Sequence, residues 1–128
     1  MNFSDLTVFE ETKKTDDSII SITSENKIIL RQGFIRNARC DLENMTHVIL
    51  SYSQSNRVIV FNFTDNKNAK GSFTLSKATN TENFIICSTQ FFSFFEIKER
   101  VFGKYFAELN KIGEKGYFWT INLNNKIR

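Results

Sequence analysis

The chain has 128 residues, of which 41% are apolar and 24% charged, and its formal net charge is +3. This length predicts one domain that buries its core without disulfides or metals. Two cysteines are too few for a disulfide framework, and no stretch reaches the ~18 to 20 apolar residues of a transmembrane helix. We therefore expect a cytoplasmic protein with reduced thiols.

Residues 1–17 form an acidic leader, which contains five acidic residues and two lysines. It lacks the basic and apolar regions of a signal peptide, and it either holds one strand or is flexible. Residues 18–128, the predicted single domain, contain 15 basic and 9 acidic residues, a charge of +6. A moderately basic body is compatible with nucleic acid as a partner.

The first half of the body predicts two strands, a short helix and a hairpin, in that order. The strands are expected at residues 19–23, 27–30, 48–52 and 57–63. Between the second and third strands, Phe34, Ile35 and Ala38 recur at helical spacing, which indicates a short helix with one buried face. The polar residues 53–56 predict a hairpin turn of about four residues.

The second half repeats this order. Its strands are expected at residues 71–75, 84–87, 103–109 and 117–123. Phe91, Phe92 and Phe95 give the second helix its buried side, whereas Phe94 falls off that face and is predicted to be exposed. Ser88 or Thr89 is expected to cap this helix, because a hydroxyl at that position accepts a free backbone N–H.

The two halves can be superposed in sequence. An offset of 57 places Phe34 on Phe91 and Val48 on Tyr105, and an offset of 60 places Phe61 on Ile121. We interpret this as two units, residues 18–64 and 71–123. The predicted fold class is mostly β with two short helices, a β-barrel-like pseudo-two-fold duplication of a strand, short helix and hairpin unit.

The element order of strand, short helix, strand, turn and strand resembles the swapped-hairpin barrel of the AbrB/SpoVT/MraZ class of regulators. Four segments, Tyr52 to Ile59, GSFTLSK (71–77), FIICSTQFF (84–92) and YFAE (105–108), are similar to those of a group of small prokaryotic proteins with tandem units. The class has Pro and a Gly-Asp pair before the hairpin strand, where this chain has ENMTHV (43–48). The resemblance implies a two-unit barrel that contacts DNA through basic residues near the strand–helix loop.

Basic residues surround the first helix and give the predicted nucleic-acid-binding set. Its members are Lys27, Arg31, Arg36, Arg39 and Arg57. An arginine fork can bond two phosphate oxygens at once. The alternative is a solvated polar face opposite Phe34 and Ile35.

The leading hypothesis is a small non-enzymatic DNA-binding or regulatory protein of AbrB-like type, with duplex DNA as partner and a homo-oligomeric state. Alternatives are a protein–protein adaptor or oligomeric assembly component, and a single-stranded nucleic-acid binder in which aromatic rings stack on bases. The residues show no catalytic constellation, metal site, cofactor motif or small-molecule substrate. His47 is expected to be structural and Cys87 to be buried.

Overall fold

A computed structural model describes residues 18–38, 45–78, 83–97, 101–112 and 116–127. The leader, for which the sequence left one strand or a flexible segment as alternatives, lies outside the described residues. The helices are α1 (Gln32–Asn37) and α2 (Thr89–Phe94). The strands are β1 (Ile19–Ile22), β2 (Ile28–Leu30), β3 (His47–Ser53), β4 (Val58–Thr64), β5 (Ser72–Thr74), β6 (Ser76–Lys77), β7 (Phe84–Ile86), β8 (Gly103–Phe106), β9 (Glu108–Ile112), β10 (Gly116–Asn122) and β11 (Lys126–Ile127). The predicted mostly-β class with two short helices is confirmed.

The two helices lie 57 residues apart, as the sequence offset predicts, and each has six residues. Both are too short to be stable alone, so packing of their apolar faces must hold them in place. Phe34 of α1 is buried, as are Phe91 and Phe92 of α2. No helix within the described residues is long and apolar enough to cross a membrane.

The strands form two antiparallel sheets. Sheet A has the order β11-β8-β1-β2-β7-β6, and sheet B has the order β5-β3-β4-β10-β9. Strand β8 of the second predicted unit pairs with β1 of the first, and β5 of the second pairs with β3 of the first. The two units therefore exchange strands, and neither has a sheet of its own.

Each sheet contains one pair of neighbouring strands in which a strand lies beside its counterpart in the other unit. In sheet B, Val60 of β4 lies opposite Thr120 of β10, which is its equivalent at the offset of 60. In sheet A, the middle residues of β2 and β7, Ile29 and Ile85, lie opposite each other. Two antiparallel strands are related by a local two-fold axis. Because the paired strands are equivalent in the two units, the β4–β10 and β2–β7 pairings are both consistent with a pseudo-two-fold axis between the units.

At two bends the chain passes directly from a strand of one sheet into a strand of the other. Leu75 separates β5 of sheet B from β6 of sheet A, and Ala107 separates β8 of sheet A from β9 of sheet B. The Leu75 amide donates to the Thr46 carbonyl at 2.9 Å, and the Ala107 amide donates to the Ser18 carbonyl at 2.8 Å. The hydrogen-bond ladder therefore continues into each bend, which is how strands make the corners between two sheets.

The expected barrel is not closed. Within the described residues, sheet A ends at β11 and β6, and sheet B ends at β5 and β9, with no pairing that joins these edges. Strands β6 and β11, at the two edges of sheet A, have only two residues each. The architecture is two open sheets joined at two corners.

The core lies between the inner faces of the two sheets. The period-two pattern predicted for β10 is confirmed, because Trp119 and Ile121 are buried while Thr120 is only half-buried. The Phe34 ring of α1 meets the Trp119 ring edge-on, with centroids 4.8 Å apart, and lies 6.1 Å from the Phe63 ring. These aromatic contacts attach α1 to sheet B.

Candidate functional site

The predicted basic set is spread along the first unit. Lys27 lies half-buried in the turn between β1 and β2, and Arg31 is exposed at the N-cap of α1, on the other side of β2. Arg36 is exposed in the last turn of α1. Arg39 lies outside the described residues.

Arg57 is placed differently from the prediction. It lies in the turn before β4, with φ +57°, rather than in the strand, and its carbonyl accepts from the Leu123 amide at 2.8 Å. Phe63, the β4 residue that contacts α1 through Phe34, is six residues further along, about 20 Å for an extended chain. Arg57 and the α1 contact therefore lie towards opposite ends of β4.

A cleft lies between α2 and the edge of sheet B. We call it the aromatic cleft, and its volume is about 340 Å³. It is lined by Leu50, Gly71, Phe73, Gln90, Phe91, Phe94 and Phe95. None of these side chains is ionisable, so the cleft is suited to an apolar group.

Edge-to-face aromatic packing builds the walls of this cleft. The Phe91 ring is 6.4 Å from the Phe73 ring and 5.0 Å from the Phe95 ring, and Tyr52 packs against Phe95 at 5.4 Å. Phe94 contacts Phe95 at 4.9 Å but is 79% exposed, so the prediction of its exposure is confirmed. A rigid aromatic wall therefore carries one solvent-exposed ring at its rim.

The position of α2 is set by bonds to the β1–β2 turn. Ser88 is at the predicted N-cap position but makes no capping bond. Its hydroxyl, fully buried, donates instead to the Asn26 carbonyl at 2.7 Å. Thr89 Oγ1 donates to the Glu25 carbonyl at 3.2 Å. The expected capping role is therefore wrong, because the hydroxyls satisfy turn carbonyls that are distant in sequence.

A second cleft lies at the other corner of the fold, between α1 and the β8–β9 bend. We call it the polar cleft, and its volume is about 690 Å³. It is lined by Ser18, Asn37, Phe106, Ala107, Glu108, Leu109 and Trp119. Asn37 Nδ2 donates to Ser18 Oγ at 2.6 Å inside it.

The two clefts occupy equivalent places in the two units. The Leu50 amide donates to the Gly71 carbonyl in the aromatic cleft at 3.2 Å, as the Ala107 amide does to Ser18 in the polar cleft. Ala107 follows Leu50 by 57 residues. The same offset places Phe94 at the position of Asn37. The pseudo-symmetry thus pairs an exposed ring in one cleft with a hydrogen-bonded amide in the other.

Side chains that could ligate a metal ion are dispersed over the described residues. No group of three or more His, Cys, Asp or Glu side chains there could hold a metal ion. His47 Nδ1 lies 2.7 Å from Thr46 Oγ1. Cys87 is a free, exposed thiol, which corrects the expectation that it is buried, since β7 ends at Ile86.

The sequence contained one signal for the aromatic cleft. Phe94 stands off the apolar face of α2, and the structure places it at the cleft rim. Nothing in the sequence indicated that Leu50, Gly71 and Phe73 line the same cleft. Their position near α2 depends on the pairing of β3 with β5.

Comparison of the chain with protein-family models, with curated proteins and with solved structures gives no match. The resemblance to the AbrB/SpoVT/MraZ class stays a prediction from the sequence.

Proposed function

We propose that this protein is a non-enzymatic interaction module that binds an apolar side chain of a protein partner in the aromatic cleft. The observation that carries the proposal is the 79% exposure of Phe94 at the rim of a cleft without ionisable groups. Complete burial of such a side chain stabilises a fold by about 1.5–3 kcal/mol. Because Phe94 is mostly exposed, it contributes little of this free energy, and fold stability does not explain its presence.

The polar cleft, which is the equivalent place in the first unit, supports the same conclusion about Phe94. There the same position is Asn37, whose amide is satisfied by Ser18. An amide or another polar residue is therefore compatible with this place in the fold, so the ring of Phe94 is not required for packing. Aromatic side chains are enriched at the centre of protein interfaces, and a cleft of about 340 Å³ falls within the size range of binding sites.

The test is a selection of random peptides displayed on phage, using immobilised full-length protein. We expect enriched peptides to share one bulky apolar residue. Their binding should fall at least about tenfold in Phe94→Asn, which copies the polar cleft and removes the ring from the rim. Phe102→Asn is the matched control, because Phe102 is 45% exposed and lines neither cleft.

Two results would count against the proposal. One is the absence of any enriched peptide. The other is enrichment of peptides that bind wild type and Phe94→Asn equally well. Thermal unfolding of both variants shows whether the fold is intact, and a loss of binding counts only for a folded variant.

Duplex DNA binding is a second candidate, supported by the exposed side chains of Arg31 and Arg36 on α1 and by the +6 charge of residues 18–128. Fluorescence anisotropy of labelled duplex DNA over a salt series tests it. Replacing both arginines with alanine should weaken binding and reduce the slope of log K against log salt by about 2. No binding of duplex DNA at low salt would remove this candidate.

A further inference from the structure

The chain segment beside the aromatic cleft is an edge strand in both sheets. Strand β5 is the last strand of sheet B and pairs only with β3, and β6 is the last strand of sheet A and pairs only with β7, as far as the described residues extend. Edge strands present unpaired backbone groups to which another extended chain can bind. Partner proteins use this mode when they add a strand to a sheet.

The outward-facing backbone groups can be assigned from the ladder. Gly71 accepts a bond from the Leu50 amide and Leu75 donates one to the Thr46 carbonyl, so these residues face β3. Backbone direction alternates along a strand, so Ser72 and Thr74 face away from the sheet. The Ser72 amide donates locally to Ala69 at 3.2 Å. By the same alternation, the Thr74 N–H and C=O point away from β3, towards the open side of the edge strand.

The free edge and the cleft are adjacent. Phe73 lies between the two outward-facing residues of β5 and lines the same cleft as Phe94. A strand added to β5 would place one residue beside Phe73 on the same face, with Cβ atoms about 4.5–5.5 Å apart. That residue would project into the aromatic cleft, and its two neighbours would point to the other face of the sheet.

The charges around this edge favour an acidic partner. Lys70 precedes β5 and Lys77 ends β6, and both are exposed, so a lysine stands at each end of the edge. Lys67 adds a third exposed cation in the preceding connector. Among the described residues of this region, the exposed acidic ones are Asp65, in the same connector as Lys67, and Glu96, after α2.

We infer that the partner of the aromatic cleft is an extended, acidic protein segment that adds to β5 as a strand and inserts one bulky apolar side chain beneath Phe94. The inference rests on the proposed function, since it names the partner and binding mode of the same cleft. It predicts one apolar anchor with acidic residues on both sides, and a main-chain bond to Thr74.

The test uses a synthetic probe peptide, EETVFVTEE with blocked ends, and three variants of the full chain. Thr74→Pro removes the outward-facing N–H and leaves the ladder to β3 intact, a substitution that edge strands tolerate. Thr74→Ala is the matched control because it keeps the N–H. We expect wild type and Thr74→Ala to bind alike, and Thr74→Pro and Phe94→Asn each to bind about tenfold more weakly.

The outcomes separate the two proposals. Loss of binding in Phe94→Asn with full binding in Thr74→Pro would leave the cleft function standing and overturn strand addition. Equal binding by wild type and Phe94→Asn would overturn the cleft function itself. A probe with lysine in place of glutamate should bind several-fold more weakly, and equal or tighter binding would contradict the acidic partner.

Amide hydrogen exchange decides the matter if Thr74→Pro does not fold. In wild-type protein, saturating probe peptide should slow exchange of the Thr74 amide at least about tenfold, because a bonded amide exchanges only when the bond opens. The Val60 amide, in the centre of sheet B, is the internal reference. An unchanged Thr74 rate with the peptide bound would overturn the inference.

Discussion

Asn37 donates a hydrogen bond from its side-chain amide to Ser18 Oγ at 2.6 Å, and this pair holds the end of α1 against the residue that precedes β1. Nineteen residues separate the two in the chain. In the equivalent cleft, Phe94 and Gly71 stand in these positions and cannot form such a bond. The two halves therefore share a fold but differ in the side chains and contacts at this place.

This pair should be energetically coupled. Ser18→Ala and Asn37→Ala should each lower the free energy of unfolding by about 0.5–1.5 kcal/mol, and the double variant should cost little more than one of them. Urea unfolding of the four proteins measures the coupling. Strictly additive effects would mean that the bond contributes nothing to stability.

The exposed and buried phenylalanines should differ sharply in their contribution to stability. Phe34 is fully buried and contacts Trp119, so Phe34→Ala should lower the free energy of unfolding by about 3–5 kcal/mol. Phe94→Ala should lower it by less than about 1 kcal/mol, because the side chain is 79% exposed. A large loss in Phe94→Ala would assign Phe94 to packing and weaken the proposed function.

Tyr105 should make stability fall at alkaline pH. Burial raises the pKa of its hydroxyl above the ordinary value of 10.0, and the Arg57 guanidinium lowers that pKa by a smaller amount. The folded protein therefore keeps a proton that the unfolded chain releases, so this contribution is complete below pH ~10 and is lost as the pH rises towards the folded pKa.

The matched variant is Tyr105→Phe. At pH 7 it should cost about 1 kcal/mol, because the Tyr105 hydroxyl donates to the Val101 carbonyl at 2.6 Å. The gap between the two proteins in urea unfolding should narrow as the pH rises above about 10. A gap that stays constant would show that the Tyr105 pKa is the same in both states.

Gly103 should be intolerant of a side chain. Its φ is +143°, and an added Cβ would lie 2.5 Å from Cδ of Lys126. Gly103→Ala should therefore cost more than about 1 kcal/mol of unfolding free energy. Most of the loss should persist in a Lys126→Ala background, since the backbone angle remains unfavourable. Full recovery in that background would assign the cost to the clash alone.

Local features of the fold could be predicted because they depend on short-range periodicity. The two helices, the four-residue hairpin turn and the alternation in β10 follow from side-chain direction, which repeats every two residues in a strand and about every 3.6 in a helix. The exposure of Phe94 followed from the same reasoning. Burial of Cys87 was predicted wrongly, because the strand end at Ile86 is set by pairing with β2.

The candidate site was harder to predict, because strand pairing brings together the residues that line the aromatic cleft. The basic residues around α1 could be noted in sequence, but the turn position of Arg57 depends on where β4 begins. Ser88 was expected to cap α2, and only the nearby Asn26 carbonyl, 62 residues away in sequence, gives its hydroxyl a different partner.

Periodicity and offset are properties of the linear chain, so they were enough to predict the mostly-β class, most of the buried faces and the offset between the two halves. Other features follow only from the pairing of strands: β5–β6 and β8–β9 bend between open sheets, Asn37 meets Ser18, and the Thr74 edge borders an aromatic cleft. These features depend on which distant strands pair, and many pairings satisfy the same alternation of apolar residues. Packing selects one of them, and with it the surface that the fold exposes.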